Sequence, residues 1–347
     1  MPLPGQFISC DWGTSSFRLR LIDTEGLRVT AEITGETGIR TIHDALPADA
    51  DLNDRDAAFA GFLGERLDEL LRGTPADCDV RPVLLSGMAT STIGWRELSY
   101  ASVPLDLDGS GVVHERIGFI SPGGRDFELF LVSGAATDTD VMRGEETELL
   151  GILNHPDFQR YARASIVILP GTHSKHVSVS EGRVVDWRTF MTGEVFEALT
   201  SATILRQTTE AQNEAGVASI DDVGFREGVL RGFEHGMEAV LFQARTRAVL
   251  QGKTSASNRA FLSGTLIGSE MRHALGISGV APLLIAGSGP LADCYRSAAE
   301  ICLDAAAQAP MDLWAETVNV ALPDGAAIHG HAFLLKRWLG ADDTDAR

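Results

Sequence analysis

Apolar and polar residues alternate near the start of the chain and predict a strand, a tight turn and a second strand within residues 7–23. Phe17, Leu19 and Leu21 share one face of the second strand, and Arg18 and Arg20 share the other. This period of two is typical of a half-buried strand. Short apolar runs predict further strands at 28–33, 82–85, 127–132, 165–169, 184–190, 283–286 and 318–322.

Helical spacing of apolar residues predicts helices between and after these strands. The clearest is residues 53–71, where Gly73 follows as a plausible stop. The other helices are predicted at 145–153, after 194, and at 221–250, 258–275, 291–303 and 324–339. Two of them carry glycines that indicate close packing, at 228, 232, 236, 264 and 268.

Length and charge limit the class of protein. A chain of 347 residues is long enough for about two domains. The formal net charge of −19, with no basic cluster, disfavours nucleic acids and anionic membranes and favours small-molecule partners. Cysteines 10, 78, 294 and 302 show no metal-ligand or disulfide spacing. The chain has no secretory leader and no apolar run of about 20 residues, so we expect a cytoplasmic protein.

The first turn has the composition of a phosphate site. Gly13, Thr14 and Ser15 offer small side chains, hydroxyls and backbone N–H groups, which form concavities that hold phosphate oxygens. Asp11 ends the preceding strand, and a carboxylate beside such a turn suits Mg²⁺, which prefers one or two carboxylates plus phosphate oxygens. The alternative is an ordinary hairpin with a polar turn.

The same hairpin recurs 158 residues further along the chain. Gly171 and Thr172 follow an apolar strand as Gly13 and Thr14 do, and another strand follows. Chance similarity of short segments is the alternative, but each copy carries the same element order around the same Gly-Thr pair. Leu169 stands where the first copy has Asp11, so only the first hairpin offers a carboxylate for a metal.

Two other loops follow predicted strands and carry candidate polar groups. Residues 86–95 are small and hydroxyl-rich and include Ser91 and Trp95. In the second loop, Arg143 precedes two carboxylates at the predicted start of a helix. These acids either complement the helix dipole or supply a base, and the arginine either forms a surface ion pair or binds a substrate carboxylate.

A third loop, Gly287-Ser288-Gly289, follows a buried strand and opens a helix. Its spacing matches the Gly-x-Gly-x-x-Ala dinucleotide pattern, but Pro290 and the late position in the chain argue against a Rossmann opening. A nucleotide loop of another kind is the remaining interpretation. The sequence contains no Walker A loop, no Gly-x-Ser-x-Gly elbow and no His-Glu-x-x-His motif.

Two Gly-Thr hairpins and a late Gly-Ser-Gly loop resemble the layout of the actin, sugar kinase and Hsp70 superfamily. Within it, the chain resembles the 2-dehydro-3-deoxygalactonokinase family. The strings that carry this resemblance are Asp-Trp-Gly-Thr-Ser at 11–15, Gly-Trp at 94–95, Met-Arg-Gly-Glu-Glu-Thr at 142–147, Pro-Gly-Thr-His-Ser-Lys at 170–175, Met-Thr-Gly-Glu at 191–194, and Phe-Leu-Ser-Gly with Leu-Ile-Gly at 261–268. His176 stands where the family usually carries Trp.

The resemblance implies an α/β, two-domain actin-like (ribonuclease H-like) fold with a nucleotide cleft between the domains, here 1–163 and 164–347. It implies ATP-dependent phosphorylation of the 6-hydroxyl of 2-dehydro-3-deoxy-D-galactonate in galactonate catabolism. A kinase for another 2-keto-3-deoxy sugar acid, an actin-like phosphatase or ATPase, and a non-catalytic sugar sensor are the alternatives. A homodimer is left open.

Roles for single residues follow from the resemblance. One side of the triphosphate is assigned to Gly13, Thr14 and Ser15, the other to Gly171, Thr172 and His173, with Lys175 neutralising charge and Gly287, Ser288 and Gly289 near the adenosine. Asp11 is expected to hold Mg²⁺ through water. Glu145 is the expected base, with Asp140 and Asp11 as competitors. Arg143 is expected to bind the sugar-acid carboxylate, and Ser91 and Trp95 to line its pocket, with core packing as the alternative for Trp95.

Overall fold

The computed structural model describes residues 3–73, 81–210, 223–278, 281–307, 317–322 and 325–345. The strands in chain order are β1 (Gln6–Trp12), β2 (Phe17–Asp23), β3 (Arg28–Gly35), β4 (Arg81–Gly87), β5 (Ala101–Ser102), β6 (Leu105–Asp106), β7 (His114–Ile120), β8 (Asp126–Val132), β9 (Ala135–Ala136), β10 (Val141–Met142), β11 (Ala164–Leu169), β12 (Ser174–Ser180), β13 (Arg183–Phe190), β14 (Leu283–Ala286) and β15 (Thr317–Val320).

The helices are α1 (Ile39–Asp44), α2 (Leu52–Leu70), α3 (Glu145–Leu153), α4 (Thr192–Ala202), α5 (Arg206–Thr209), α6 (Val223–His235), α7 (Met237–Val240), α8 (Gln243–Gln251), α9 (Ser255–Ser278), α10 (Pro290–Ala307) and α11 (Ala326–Asp345). The chain divides into two compact units, Met1–Arg160 with Leu322–Arg347, and Tyr161–Ala321.

The first unit is built on a six-stranded sheet in the order β3-β2-β1-β4-β8-β7. β1, β2 and β3 are antiparallel neighbours, whereas β1, β4 and β8 run parallel. One face packs on α2, where Trp12 meets Phe17 edge to face at 5.2 Å and Phe59 at 5.7 Å. The capping box of Asp51 and Asp54 fixes the start of this helix.

The second unit repeats the order of the first sheet. Its strands run β15-β14-β11-β12-β13, which corresponds to β8-β4-β1-β2-β3. Again a hairpin and a third strand are antiparallel, and the remaining strands are parallel. The predicted repeat of the two hairpins is therefore confirmed, and it extends to the whole five-strand motif.

Glycines bring α6 and α9 into backbone contact in the second unit. A methyl group at Gly228 would lie 2.1 Å from the Phe261 carbonyl oxygen, and one at Gly264 would lie 2.2 Å from that of Phe225. Gly232 and Gly268 are equally tight, which confirms the predicted close packing. Gly236, the fifth of these glycines, instead ends α6 with a positive φ of +79°.

Two predictions about helices differ from the structure. The single helix expected at 221–250 is three helices, because Gly236 adopts φ +79° between α6 and α7 and the chain turns again before α8; residues 221 and 222 lie outside the described residues. The structure also has α1 (Ile39–Asp44), which is not among the predicted helices because six residues are too few to give a periodic signal.

The last helix belongs with the first half of the chain. α11 packs against α3, where a methyl group at Gly330 would lie 1.9 Å from the Thr147 carbonyl oxygen and one at Gly151 would lie 2.1 Å from that of Ala326. The expected second domain ran from 164 to 347, so the structure differs at this end of the chain. Hydrophobic spacing predicts a helix but not its partner.

Cys10, Cys294 and Cys302 are buried free thiols, and Cys78 lies outside the described residues. Within the described ranges, no helix combines the length and the apolar character that a membrane crossing requires.

A buried histidine makes the stability of the first unit depend on pH. His331 on α11 is fully buried, and its Nδ1 lies 2.8 Å from the Ser9 hydroxyl of β1. Burial lowers the pKa of His331 from 6.5 to about 3. Below pH 6.5 the unfolded chain therefore binds a proton that the folded chain excludes, so stability falls as the pH falls towards 3.

We predict that this histidine contributes a slope of about 1.4 kcal/mol per pH unit between pH 6 and pH 4. His331→Gln should flatten the pH dependence of unfolding in urea by about that amount. His43→Gln, at a histidine of α1 whose side chain is 39% exposed, is the control and should keep the wild-type slope. Equal slopes in wild type and His331→Gln would contradict the prediction.

Candidate active site

Backbone hydrogen bonds tie the turn between β1 and β2 to the start of α1. The Gly13 amide donates to the Ser16 carbonyl at 2.9 Å and closes the turn. The Ile39 and Arg40 amides donate to the carbonyls of Gly13 and Thr14 at 3.0 and 3.1 Å. The protein itself therefore satisfies the carbonyl side of this turn.

The turn between β11 and β12 is tied to the start of α4 in a similar way. The amides of Gly193 and Glu194, in the first turn of α4, donate to the Thr172 carbonyl at 3.1 and 3.3 Å. The His173 ring lies 2.6 Å from the Glu194 carboxylate. Lys175 is only 4% exposed, and its Nζ donates to the His173 carbonyl at 3.1 Å. A cation therefore lies directly beneath the second turn.

In both turns, several backbone amides make no hydrogen bond to the described part of the protein. Across the described parts of the chain, no protein acceptor takes the amide protons of Thr14 and Ser15 in the first turn, or those of Gly171, Thr172 and His173 in the second. All five residues are partly or fully exposed. Successive outward N–H groups of this kind form a nest that binds anions such as phosphate.

Two glycines outside the turns make this arrangement possible. A methyl group at Gly38 would lie 2.3 Å from the Thr14 carbonyl oxygen. One at Gly193 would lie 2.7 Å from the Thr172 Cα. Both are contacts with backbone, which has no flexible end to move aside, so each helix can reach its turn only through glycine.

Asp11 is next to the first turn, in the last part of β1. Its carboxylate lies 3.5 Å from the guanidinium of Arg18 on β2. Burial raises the pKa of Asp11, the charges of Arg18 and Arg20 oppose that shift, and the charge of Glu145 adds to it. Asp11 and Glu145, assigned to chemistry from the sequence, are therefore within electrostatic reach of each other.

Carboxylates crowd the start of α3. Glu146 is 1% exposed and accepts a hydrogen bond from the Gly144 amide at 2.7 Å. Burial and the neighbouring charge of Glu145 raise the pKa of Glu146 to about 7. Burial, followed by repulsion from Asp11 and the two neighbouring glutamates, raises the pKa of Glu148 to about 8. This repulsion favours a proton or a cation in this region.

Glycines bring β1, β4 and α3 together. Gly87, at the end of β4, adopts φ +89°, and a methyl group there would lie 2.7 Å from the Trp12 carbonyl oxygen. Gly144, just before α3, adopts φ +108°, and its Cβ position is 3.4 Å from the Gly87 Cα. The first turn, the end of β4 and the acidic start of α3 therefore form one local site in the first unit.

Arg143 has a defined position beside this site. Its Nη1 donates to the Thr90 hydroxyl at 2.5 Å, and its guanidinium carbon lies 4.2 Å from the centre of the Tyr100 ring. Its backbone amide donates to the Glu145 carboxylate at 2.9 Å. Hydroxyl and ring hold the guanidinium in place before any ligand binds.

Ser91 and Trp95 use their polar groups inside the protein. The Ser91 hydroxyl donates to the Met88 carbonyl at 2.8 Å. The Trp95 indole donates to the Asp56 carboxylate at 2.7 Å, and its ring meets Phe119 edge to face at 6.2 Å. Ser91 is 5% exposed and Trp95 4%. The two side chains are therefore parts of the core beneath the loop.

The Gly-Ser-Gly loop lies at the carboxyl end of β14. The Gly287 amide donates to the Val320 carbonyl at 3.0 Å, and Gly287 and Gly289 adopt φ +99° and +87°. Because β11 and β14 are parallel, this loop and the second turn lie at the same edge of their sheet. Ligands of open α/β sheets bind at that edge.

Sequence reasoning did not find Glu270, which accepts hydrogen bonds from residues on both sides of the second turn. A signal was present, because Glu270 shares the buried stripe of α9 with Ile267 and Ala274. A single acid on an apolar stripe indicates either a buried pair or a functional group.

The same five-strand order recurs in the two units, and each unit has a turn after its first strand with backbone amides unbonded in the described chain, so the expected actin-like α/β fold is confirmed. A model of the 2-keto-3-deoxy-galactonokinase family matches residues 11–317, and the chain belongs to this family. It is therefore a kinase of a family that uses ATP. The resemblance found in the sequence motifs is confirmed.

Individual relatives agree with the family match. A protein of Rhizobium meliloti (strain 1021), named as a probable 2-dehydro-3-deoxygalactonokinase, is 36% identical over 305 residues, covering 86% of this chain and 90% of its own. The 2-dehydro-3-deoxygalactonokinase of Escherichia coli (strain K12) is 28% identical over 274 residues, covering 78% and 80%. A crystal structure of a candidate 2-dehydro-3-deoxygalactonokinase from Sinorhizobium meliloti gives a TM-score of 0.72 at 32% identity, covering 96% and 99%.

We predict that Gly193→Ala lowers kcat/KM for ATP roughly 10- to 100-fold, because the methyl group must displace the second turn by a fraction of an ångström or more. Gly276→Ala on α9 is the matched control, since nothing lies within 4 Å of its Cβ position. Steady-state kinetics with ATP varied is the measurement. Wild-type kinetics in Gly193→Ala would contradict a role for this turn.

Proposed function

We propose that the protein transfers the γ-phosphoryl group of ATP to the 6-hydroxyl of 2-dehydro-3-deoxy-D-galactonate. The observation that carries the proposal is that both turns have backbone amides without a protein acceptor in the part of the chain that the structure describes. The carboxylates of Asp11 and of the start of α3 lie beside the first of these turns. Family membership and relatives of that name support the substrate. The proposal includes a cytoplasmic location and a step of galactonate catabolism.

Phosphate binding is assigned to both turns. The amides of Thr14 and Ser15, and those of Gly171, Thr172 and His173, each offer a nest of donors. Lys175 adds a positive charge beneath the second nest through its contact with the His173 carbonyl. Gly287, Ser288 and Gly289 are assigned to the adenosine, because they lie at the same sheet edge as the second turn.

The protein ligands near the first turn suit an Mg²⁺ ion whose other ligands come mainly from the nucleotide phosphates and water. Among the described residues there is no group of three or more His, Cys, Asp or Glu side chains able to hold a metal. Mg²⁺ bound to phosphates needs only one or two protein carboxylates and keeps several waters. Asp11 would supply an oxygen ligand at the first turn, directly or through water. When bound, the ion would neutralise charge on the phosphoryl group.

Glu145 is our candidate for the base that accepts the hydroxyl proton. It begins α3 beside Gly144, and its charge acts on Asp11. Asp11 is the competitor that the geometry favours next, because it lies at the first turn. Asp140 is a weaker competitor, since its carboxylate already accepts a hydrogen bond from the Val141 amide at 2.7 Å.

Arg143 is our candidate for the carboxylate of the sugar acid. Thr90 and Tyr100 hold its guanidinium, and within the described chain its Nε has no hydrogen-bond partner. An arginine fixed in this way can bind a carboxylate with a charge-assisted hydrogen bond. Ser91 and Trp95 would support the pocket from beneath and would not touch the substrate with their polar groups.

The residues then divide the chemistry as follows. Backbone amides of the two turns fix the phosphates, Arg143 fixes the acid end of the sugar, and Glu145 receives the proton of the attacking hydroxyl. Little covalent work is required of the protein, because phosphoryl transfer depends on positioning and on neutralising charge.

A coupled assay of ADP release against a panel of 2-keto-3-deoxy sugar acids, with and without Mg²⁺, tests the proposal. We expect turnover that needs both Mg²⁺ and the sugar acid and is fastest with the galactonate derivative. Faster turnover of another acid would reassign the substrate. ADP release that does not depend on any sugar acid would indicate an ATPase.

Glu145→Gln should lower kcat roughly 10²- to 10⁴-fold at saturating substrates, because the amide cannot accept the proton. The matched control is Glu32→Gln, at an exposed ion pair on β3, which should behave as wild type. Near-wild-type turnover in Glu145→Gln would remove its role as base.

Asp11→Asn should abolish most activity while leaving the circular dichroism spectrum unchanged.

Arg143→Gln should raise KM for the sugar acid about 10- to 100-fold, the cost of a lost hydrogen bond between charged groups. KM for ATP should change little, because the guanidinium is assigned to the other substrate. Steady-state kinetics with each substrate varied in turn separates the two. An effect confined to KM for ATP would contradict the assignment.

A further inference from the structure

A buried carboxylate on α9 gathers four donors from the second unit. Oε1 of Glu270 lies 2.6 Å from the Ser174 hydroxyl and 2.5 Å from His176 Nε2. Its Oε2 lies 2.7 Å from the Thr192 hydroxyl and 2.8 Å from the Tyr295 hydroxyl. A carboxylate offers about four lone-pair sites, so every site on Glu270 is taken.

Two of these donors frame the second turn. Ser174 is the first residue of β12 and directly follows the turn. Thr192 is the first residue of α4, and the next two residues donate their amides to the Thr172 carbonyl. Glu270 therefore bonds to the segment that leaves the turn and to the segment that supports it.

The charge of Glu270 is stabilised where it lies, although the side chain is only 2% exposed. Burial alone would raise the pKa of Glu270, but the charge and hydrogen bond of His176 and the hydroxyls of Ser174 and Thr192 lower it below its ordinary value. His176 is itself buried and packs against Phe190 at 4.6 Å. A buried carboxylate whose acceptor sites are all taken resists deformation, because moving one donor leaves a buried charge undersatisfied.

We propose that Glu270 is a positioning residue for nucleotide binding, which fixes the second turn through the hydroxyls of Ser174 and Thr192. The proposal rests on the proposed role of that turn in binding ATP phosphates. Glu270 itself need not touch the nucleotide. Its effect reaches the ligand through the orientation of the amides of Gly171, Thr172 and His173.

Thr192 offers the cleanest test, because its side chain is half-buried and a valine has nearly the same shape. Thr192→Val removes the hydroxyl that links α4 to Glu270, and Thr192→Ser retains it. Thr200→Val is the matched control, since that hydroxyl on the same helix bonds only within the helix, to the carbonyls of Phe196 and Glu197. Glu270→Gln tests the carboxylate directly, and the threonine variants keep the test valid if that variant does not fold.

The readouts are KM for ATP, KM for the sugar acid, and the dissociation constant of ADP from titration calorimetry. We expect Thr192→Val to raise KM for ATP and the dissociation constant of ADP by about 5- to 30-fold. KM for the sugar acid should stay within about twofold, and Thr192→Ser and Thr200→Val should match wild type.

Unchanged ADP affinity in Thr192→Val would overturn the proposal, and so would a rise confined to KM for the sugar acid. A loss in Thr200→Val equal to that in Thr192→Val would also overturn it, because the effect would then come from α4 in general. A failure of the proposed function would look different: wild type would show no turnover of the sugar acid, while ADP titration would still test the positioning role.

Discussion

The turn between β1 and β2 and the turn between β11 and β12 depend on the same constraint, which is that carbonyl groups of each turn are hydrogen-bonded from inside the protein. The first amides of α1 do this for Gly13 and Thr14, and those of α4 do it for Thr172. Gly38 and Gly193 are required because any side chain would meet the backbone of the turn. Because these carbonyls are bonded within the protein, the amides of the same turns remain available. An anion bound there would complete their hydrogen bonding.

The two copies of this motif differ in what surrounds them. In the first unit, Asp11 and the acidic start of α3 form a site whose raised pKa values reflect burial and mutual repulsion. In the second unit, Leu169 takes the place of Asp11. The acids near the second turn are Glu194, which pairs with His173, and Glu270, whose acceptor sites are all occupied by protein donors. This contrast supports an account in which the first turn carries the metal and the chemistry, and the second turn supplies rigid phosphate binding.

The elements that could be predicted from the sequence are those with a local signal. The hairpins, α2 and β14 follow from periodicity and turn residues, and the repeat follows from the Gly-Thr pairs. Contacts between residues far apart in the chain gave no such signal. Helix α11 joins the first unit through its contacts with α3. Glu270 bonds to Ser174, which lies 96 residues away in the sequence. Trp95 shows the same limit, since an aromatic residue in a polar loop suggests a ligand pocket until its bond to Asp56 is known. The roles of the site residues remain predictions.

The most direct test of the account is phosphorus and carbon NMR of a reaction containing the enzyme, Mg²⁺, ATP and 2-dehydro-3-deoxy-D-galactonate. The account predicts one new phosphomonoester coupled to carbon 6 of the sugar acid, formed in equal amount to ADP. Release of inorganic phosphate with the sugar acid unchanged, or a phosphoester at another carbon, would contradict it.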